Sequence, residues 1–234
     1  MAPRKRRSPS EAPRIEIERN PIERFLLKVN AFVKTYRRQV LYGVAALLVI
    51  GAVAIATVIA VHTINTRNEE RFAEIMNDRV VAAIVKGDDA SSAIKDLKAF
   101  IDSAYFGYSL SLAYYSLGNI YFNRKEYGKA KENLLTYAER EPRTILAPLA
   151  MLKAAVALEE SGDFKGAIAL YRRLEERYGD GPFGDQIYYN YARVSGRVND
   201  LYTARAYYKK VITTYPESAF TALARKRLFL LGVR

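Results

Sequence analysis

Residues 113–142 read AYYSLGNIYFNRKEYGKAKENLLTYAEREP, and their spacing decides the fold. Tyr114, Leu117, Gly118 and Tyr121 recur at helical intervals before a polar turn. Ala130, Leu134 and a closing Pro142 follow it. Intervals of three and four place such residues on one face of a helix. Ala130 is the small residue at which the two helices of a hairpin cross. The frame repeats. Ala93, Ala130, Ala167 and Ala204 lie 37 residues apart, and each is followed four residues later by Leu97, Leu134, Tyr171 or Tyr208. A fixed period of about 20–50 residues marks stacked supersecondary units. An all-α solenoid of helical hairpins is therefore expected.

The other units extend the frame. Around Ala167 the matching residues are Met151, Ala154, Ala155, Leu158 and Leu174, and around Ala204 they are Tyr188, Tyr191, Ala192, Val211 and Pro216. Around Ala93 they are Val80, Val81, Ile84 and Phe100, without the Leu-Gly and Tyr hallmarks, although Lys86-Gly87-Asp88-Asp89 aligns with Ser161-Gly162-Asp163-Phe164. The order of aromatic, Leu-Gly, Tyr, Ala, large residue and Pro resembles the tetratricopeptide repeat (TPR). The period here exceeds the usual 34 or so, and the extra residues are expected between hairpins, as in 178–184.

That resemblance implies about four hairpins, a capping helix near Glu217–Leu231 and a right-handed superhelix over residues 66–234. Its concave face would be lined by the first helix of each hairpin. The residues concerned are Leu112, Tyr115, Asn119 and Phe122, then Leu149, Leu152, Val156 and Glu159, then Gln186, Tyr189 and Arg193. Such a face suits a peptide, a helix or another subunit. Tyr115 and Tyr189 are expected to be contacts whose loss leaves folding nearly intact.

One membrane span is expected over residues 39–65. Val40–Ile64 reads VLYGVAALLVIGAVAIATVIAVHTI, and no Asp, Glu, Lys or Arg occurs from Gln39 to Thr66. Spanning a bilayer takes about 20 such residues. The 38 residues before the run, and its length, favour a signal anchor over a cleaved signal peptide. Residues 1–38 carry eleven Lys or Arg against four Glu, a net +7 of the chain's +12. Arg67 and Arg71, beyond the span, are diluted by Glu69, Glu70 and Glu74. The positive-inside bias puts the N-terminus in the cytoplasm and the repeats in the periplasm or its equivalent.

Residues 1–20, with Arg4-Lys5-Arg6-Arg7 and three prolines, have the composition of a disordered tail. Residues 21–38 begin at Asn20-Pro21, an N-cap and first-turn proline. Ile22, Phe25, Leu26, Val29, Phe32, Val33 and Tyr36 form one helical face, and Arg24, Lys28, Lys34, Arg37 and Arg38 fill much of the rest. A basic amphipathic helix of this kind lies at the headgroup layer and favours anionic lipid. The basic cluster is too short, and too poor in interleaved aromatics, to point to nucleic acid.

No catalytic or metal site is legible. The chain has no Cys and a single His, His62, at the outer edge of the span. No phosphate loop, dinucleotide fingerprint or metal-spaced cluster occurs. Glu159-Glu160 and Glu175-Glu176 read as solvated helix charge, and Asp180 and Asp185 as turn-shaping residues. No cofactor or small-molecule substrate is expected, and the chain does not read as an enzyme.

The layout of basic tail, single anchor and extracytoplasmic repeats resembles the YfgM-like family. That resemblance covers residues 22–234 in architecture and 111–216 in motifs. It implies an inner-membrane partner of the Sec translocon and of periplasmic chaperones, holding or handing over exported chains. The long Arg-rich tail and proline-rich start depart from the family's compact pattern. The alternative is a scaffold subunit of a large envelope machine, such as a flagellar-motor collar, a secretion system or an envelope-assembly complex.

Overall fold

The computed structural model describes residues 20–76, 80–81 and 90–232, and every regular element among them is helical. Residues 1–19 of the tail, Ile84 and the turn 86–89 lie outside the described residues. Two compact units divide between Val61 and His62, inside one long helix.

In the first unit, α1 (Pro21–Thr35) starts where Asn20-Pro21 predicts. The Asn20 side chain accepts from the Ile22 backbone N–H at 3.4 Å, and Pro21 opens the helix. No residue of α1 is buried, and Arg24, Lys28 and Lys34 are exposed along it. After Tyr36 comes α2 (Arg37–Ile75), long and apolar enough to cross a membrane, with none of its most apolar window buried. Arg37 and Arg38 open α2, so the expected limits at 38/39 and 65/66 both fall inside one helix. From Ile64 to Ile75 there is no Gly or Pro to end it.

The second unit starts on the last turns of α2. Phe72, Ile75 and Met76 pack against a core of Leu97, Phe100, Leu117 and Ile120, with the Phe72 and Phe100 rings 5.7 Å apart. Asn68 is buried and donates to the Phe106 carbonyl at 3.1 Å. The helix α3 (Ala90–Ser103) follows, then three hairpins: α4 (Tyr108–Asn123) with α5 (Tyr127–Arg140), α6 (Leu146–Glu160) with α7 (Phe164–Tyr178), and α8 (Gly184–Arg197) with α9 (Leu201–Thr214). The cap is α10 (Ala219–Leu230).

The 37-residue period is the spacing of helix starts: α3, α5, α7 and α9 begin at 90, 127, 164 and 201, with the marker alanine always fourth. Ala130, Ala167 and Ala204 have no exposed surface, and Ala93 has 2%. Across the crossing from α5, Gly118 admits the close approach. A Cβ there would lie 2.6 Å from Leu134 Cγ. The extra residues sit between hairpins. The loops 141–145 and 179–183 have five residues each, and the turns 124–126, 161–163 and 198–200 have three.

Those turns are chemically alike. Lys125, Gly162 and Asn199, again 37 apart, take φ of 61°, 83° and 63°. The next N–H reaches back to the helix: Glu126 donates to the Tyr121 carbonyl at 2.9 Å, Asp163 to Leu158 at 2.8 Å and Asp200 to Ser195 at 2.9 Å. A left-handed residue followed by this six-to-one bond satisfies carbonyls that a helix end leaves open. Asp163 and Asp200 then cap the next helix by accepting from Gly166 and Thr203 N–H. Lys125 holds the left-handed conformation with a Cβ, which costs more than it would for glycine. Lys125→Gly is expected to raise stability by about 0.5–1 kcal/mol net of glycine's own entropy. In thermal unfolding of the full chain in detergent micelles, monitored by circular dichroism, the midpoint should move up by roughly 2–3 °C.

Candidate functional site

The first helices of the first two hairpins, α4 and α6, are apolar on nearly all sides, because one face meets its own partner helix and another meets the neighbouring hairpin. By contrast, α8 is two-sided and carries Asp185, Gln186, Asn190, Arg193 and Arg197. Ten of the sixteen residues of α4 and ten of the fifteen of α6 are buried. The half-exposed Tyr115, Phe122, Leu149, Lys153 and Val156 of α4 and α6, together with the buried Leu152, line a groove of about 350 Å³, with Gln186 and Asn190 of α8 at its end.

Six of the residues expected on the inner face meet here: Tyr115, Phe122, Leu149, Leu152, Val156 and Gln186. The others do different work. Leu112 packs against the core at the edge of the cluster. Asn119 is buried beneath the groove and donates to the Tyr115 carbonyl at 2.8 Å. Tyr189 is 8% exposed, with its ring 5.6 Å from Tyr208 and 5.2 Å from Phe220. It is a core residue joining α8 to α9 and the cap. Its position in the frame is that of an inner-face residue, but the capping helix closes over it.

Arg193 and Glu159 form an internal pair. Arg193 Nη1 and Nη2 lie 2.8 Å from the two carboxylate oxygens of Glu159, a bidentate fork. The Glu159 side chain has no exposed surface. Tyr171 donates to Glu159 Oε1 at 2.8 Å, and Arg197 approaches Oε2 at 3.6 Å. Glu159 is therefore not solvated charge. It is the polar joint between the α6–α7 hairpin and α8. The burial of Tyr171, and secondly the neighbouring Glu159 charge, push its hydroxyl well above its ordinary pKa. Glu175 is also engaged, accepting from Tyr207 at 2.5 Å and Lys210 at 2.8 Å.

Lys153 is the groove residue that the sequence reading left out. Its ammonium donates to Asn119 Oδ1 and stands 5.3 Å from the Phe122 ring centroid. Burial holds its pKa below the ordinary lysine value. The groove is therefore an apolar trough with one partly desolvated cation in its floor. A trough of this kind suits the alternate apolar side chains of an extended segment or the i, i+3, i+4 face of a helix. Among the described residues no group of His, Asp and Glu has a metal-holding arrangement.

Residues 115–184 and, overlapping them, 152–219 match the family described as tetratricopeptide repeat. The chain is 27% identical over 127 residues to a TPR repeat-containing protein of Treponema pallidum (strain Nichols). That match covers 54% of this chain and 53% of the relative, so the chain spans about half the relative's length. The hairpins over these residues are of tetratricopeptide type, a fold that serves as a protein–protein interaction module.

The two inner-face tyrosines should separate on mutation. Tyr189→Ala is expected to cost about 3 kcal/mol as a core truncation, and Tyr115→Ala, half-buried at the groove, only about 1 kcal/mol. Glu159→Ala, which leaves Arg193 without its counter-charge and the Tyr171 hydroxyl without its acceptor, should cost about 3 kcal/mol or more. Denaturant titration of the three variants ranks them. Equal losses for Tyr115→Ala and Tyr189→Ala would contradict the assignment.

Proposed function

We propose that this chain is a single-span envelope protein whose repeats capture segments of partner proteins in the α4–α6 groove, in the manner of the YfgM-like family at the export machinery. The apolar groove over Tyr115, Leu149, Leu152 and Val156 carries the reading. It offers contact area to extended or helical chains, as segments leaving a translocon or passing to a chaperone would be. Supporting the anchor are the uncovered apolar stretch of α2 and the exposed apolar side chains of α1, with Ile22, Phe25 and Phe32 at 64%, 65% and 58%. Exposed apolar surface on that scale is matched by lipid rather than by water. The charge bias around the span supports a cytoplasmic N-terminus and repeats on the opposite side.

Two measurements test this. The chain has no native Cys, so Ser10→Cys and Tyr202→Cys each introduce a unique label site, and Tyr202 is 86% exposed. In intact spheroplasts a membrane-impermeant maleimide should label the Tyr202 variant, and the Ser10 variant only after lysis. The reverse pattern overturns the topology. For the groove, in vivo cross-linking and affinity purification of the full chain should recover translocon subunits, export chaperones or many secretory clients. Leu149→Asp, at a half-buried side chain packed against the core, should cut that recovery by about tenfold while lowering the unfolding midpoint by only about 2–4 °C. Recovery of one fixed set of machine components at constant stoichiometry would replace the export reading with a scaffold.

A further inference from the structure

A second recess opens at the other end of the repeats and has a different chemistry. Its volume is about 420 Å³, and it lies where α8 and α9 meet the cap. Three arginines reach it: Arg193, Arg197 and Arg227. One carboxylate, Glu159, serves two of them, at 2.8 Å from Arg193 and 3.6 Å from Arg197. Among the described residues Arg227 forms no ion pair, and Glu159 is fully covered. Three guanidinium charges against one buried carboxylate leave two positive charges uncompensated in one recess. Arg197 is held in place, with its guanidinium 5.6 Å from the Phe164 ring centroid.

The rest of the wall is apolar. Tyr208, 3% exposed, forms the floor, and Leu230 and Leu231 form the rim with Gly196. An inorganic anion would answer the arginines and leave the leucines bare. A segment carrying a carboxylate next to an aliphatic side chain answers both.

The sequence places the excess charge at this same end. Residues 39–183 hold 17 Lys or Arg against 18 Asp or Glu, whereas residues 184–234 hold nine against three. Of those three acids, Asp185 is taken by Ser218 at 2.5 Å and Asp200 caps α9 through Thr203. Glu159 and Glu175 of the preceding hairpin also pair with Arg193, Arg197 and Lys210. Nine cations against three acids nevertheless leave the final hairpin and cap net positive, and a concave basic surface attracts acidic partners at long range.

We propose that the recess formed by Arg193, Arg197, Arg227, Tyr208, Leu230 and Leu231 is a docking site for an acidic, leucine-containing segment of a partner protein. Arg197 and Arg227 meet its carboxylates, while Arg193 stays committed to Glu159. The site lies apart from the apolar groove and does not require that reading to hold.

The test uses the full chain in detergent micelles and a synthetic peptide of alternating Glu and Leu carrying a photoreactive residue, with a Lys-for-Glu peptide as the control. Binding by fluorescence anisotropy should favour the Glu peptide and weaken as salt is raised. Arg197→Ala with Arg227→Ala should reduce its affinity about tenfold, and Arg227→Glu should reduce it further and gain binding of the Lys peptide. Both arginines are exposed, so an unchanged unfolding midpoint in each variant shows the loss to be local. Photo-cross-links should fall within 193–231. Cross-links confined to the basic residues of 1–38, a loss with Leu149→Asp equal to that with the arginine pair, or binding of anionic phospholipid vesicles without binding of the peptide would each overturn the proposal.

Discussion

Two helices pack closely only where the side chains at their crossing are small, and in this chain that requirement falls on one position per hairpin. Ala130, Ala167 and Ala204 are wholly buried, and Gly118 faces Leu134 at a distance that leaves no space for a Cβ. With the crossing fixed, the large residue one turn further on, Leu134, Tyr171 or Tyr208, is driven into the gap towards the adjoining helices. Close packing makes that arrangement intolerant of added volume. The three-residue turns follow from the same constraint, because two helices this close leave only a short reversal between them.

Stacking then depends on bonds that repeat from hairpin to hairpin. Tyr178 donates to the Pro142 carbonyl and Tyr215 to the Gly179 carbonyl, each at 2.8 Å, and donors and acceptors alike are 37 residues apart. Each ties the end of one hairpin to the loop before it. Gly184 must be glycine for the second of these ties, since a Cβ there would fall 2.1 Å from the Tyr215 hydroxyl and 2.0 Å from the Gly179 carbonyl. The Glu159–Arg193 fork adds a charged joint between the second and third hairpins. A repeat array is stabilised largely through such nearest-neighbour interfaces, so these few bonds set the surface that neighbouring hairpins present together.

How much of this was legible in the sequence follows from which interactions are local. The alanine ladder, the turns and the helix starts depend on residues within one hairpin, and the spacing displays them directly. The groove was partly legible, because Tyr115, Phe122, Leu149, Leu152, Val156 and Gln186 hold inner-face positions regardless of their neighbours. Glu159 was not. It sits beside Glu160 in a run of charge at a helix end, and only the approach of Arg193, 34 residues later, separates the buried acid from the exposed one. Tyr189 was misread for a similar reason: its face would be open on an internal hairpin, and the cap with Phe220 covers it. Lys153 gave no signal, since its burial and its bond to Asn119 join residues on two hairpins.

The inner surface therefore changes character along its length, and the change follows from position in the array. Between the first two hairpins the exposed residues are apolar, because α4 and α6 each face a neighbour on both sides and carry few charges to spare. At the last hairpin the neighbour is a short capping helix, and Arg227 and Leu230 come from that helix and Leu231 from its C-cap. Asn190 connects the two regions: it lines the apolar groove and accepts from Arg193 Nε at 3.3 Å. Apolar area gives contact energy without direction, whereas a charged end speeds encounter and fixes register. A partner segment that met both regions would be oriented along the array, with its acidic end towards the cap.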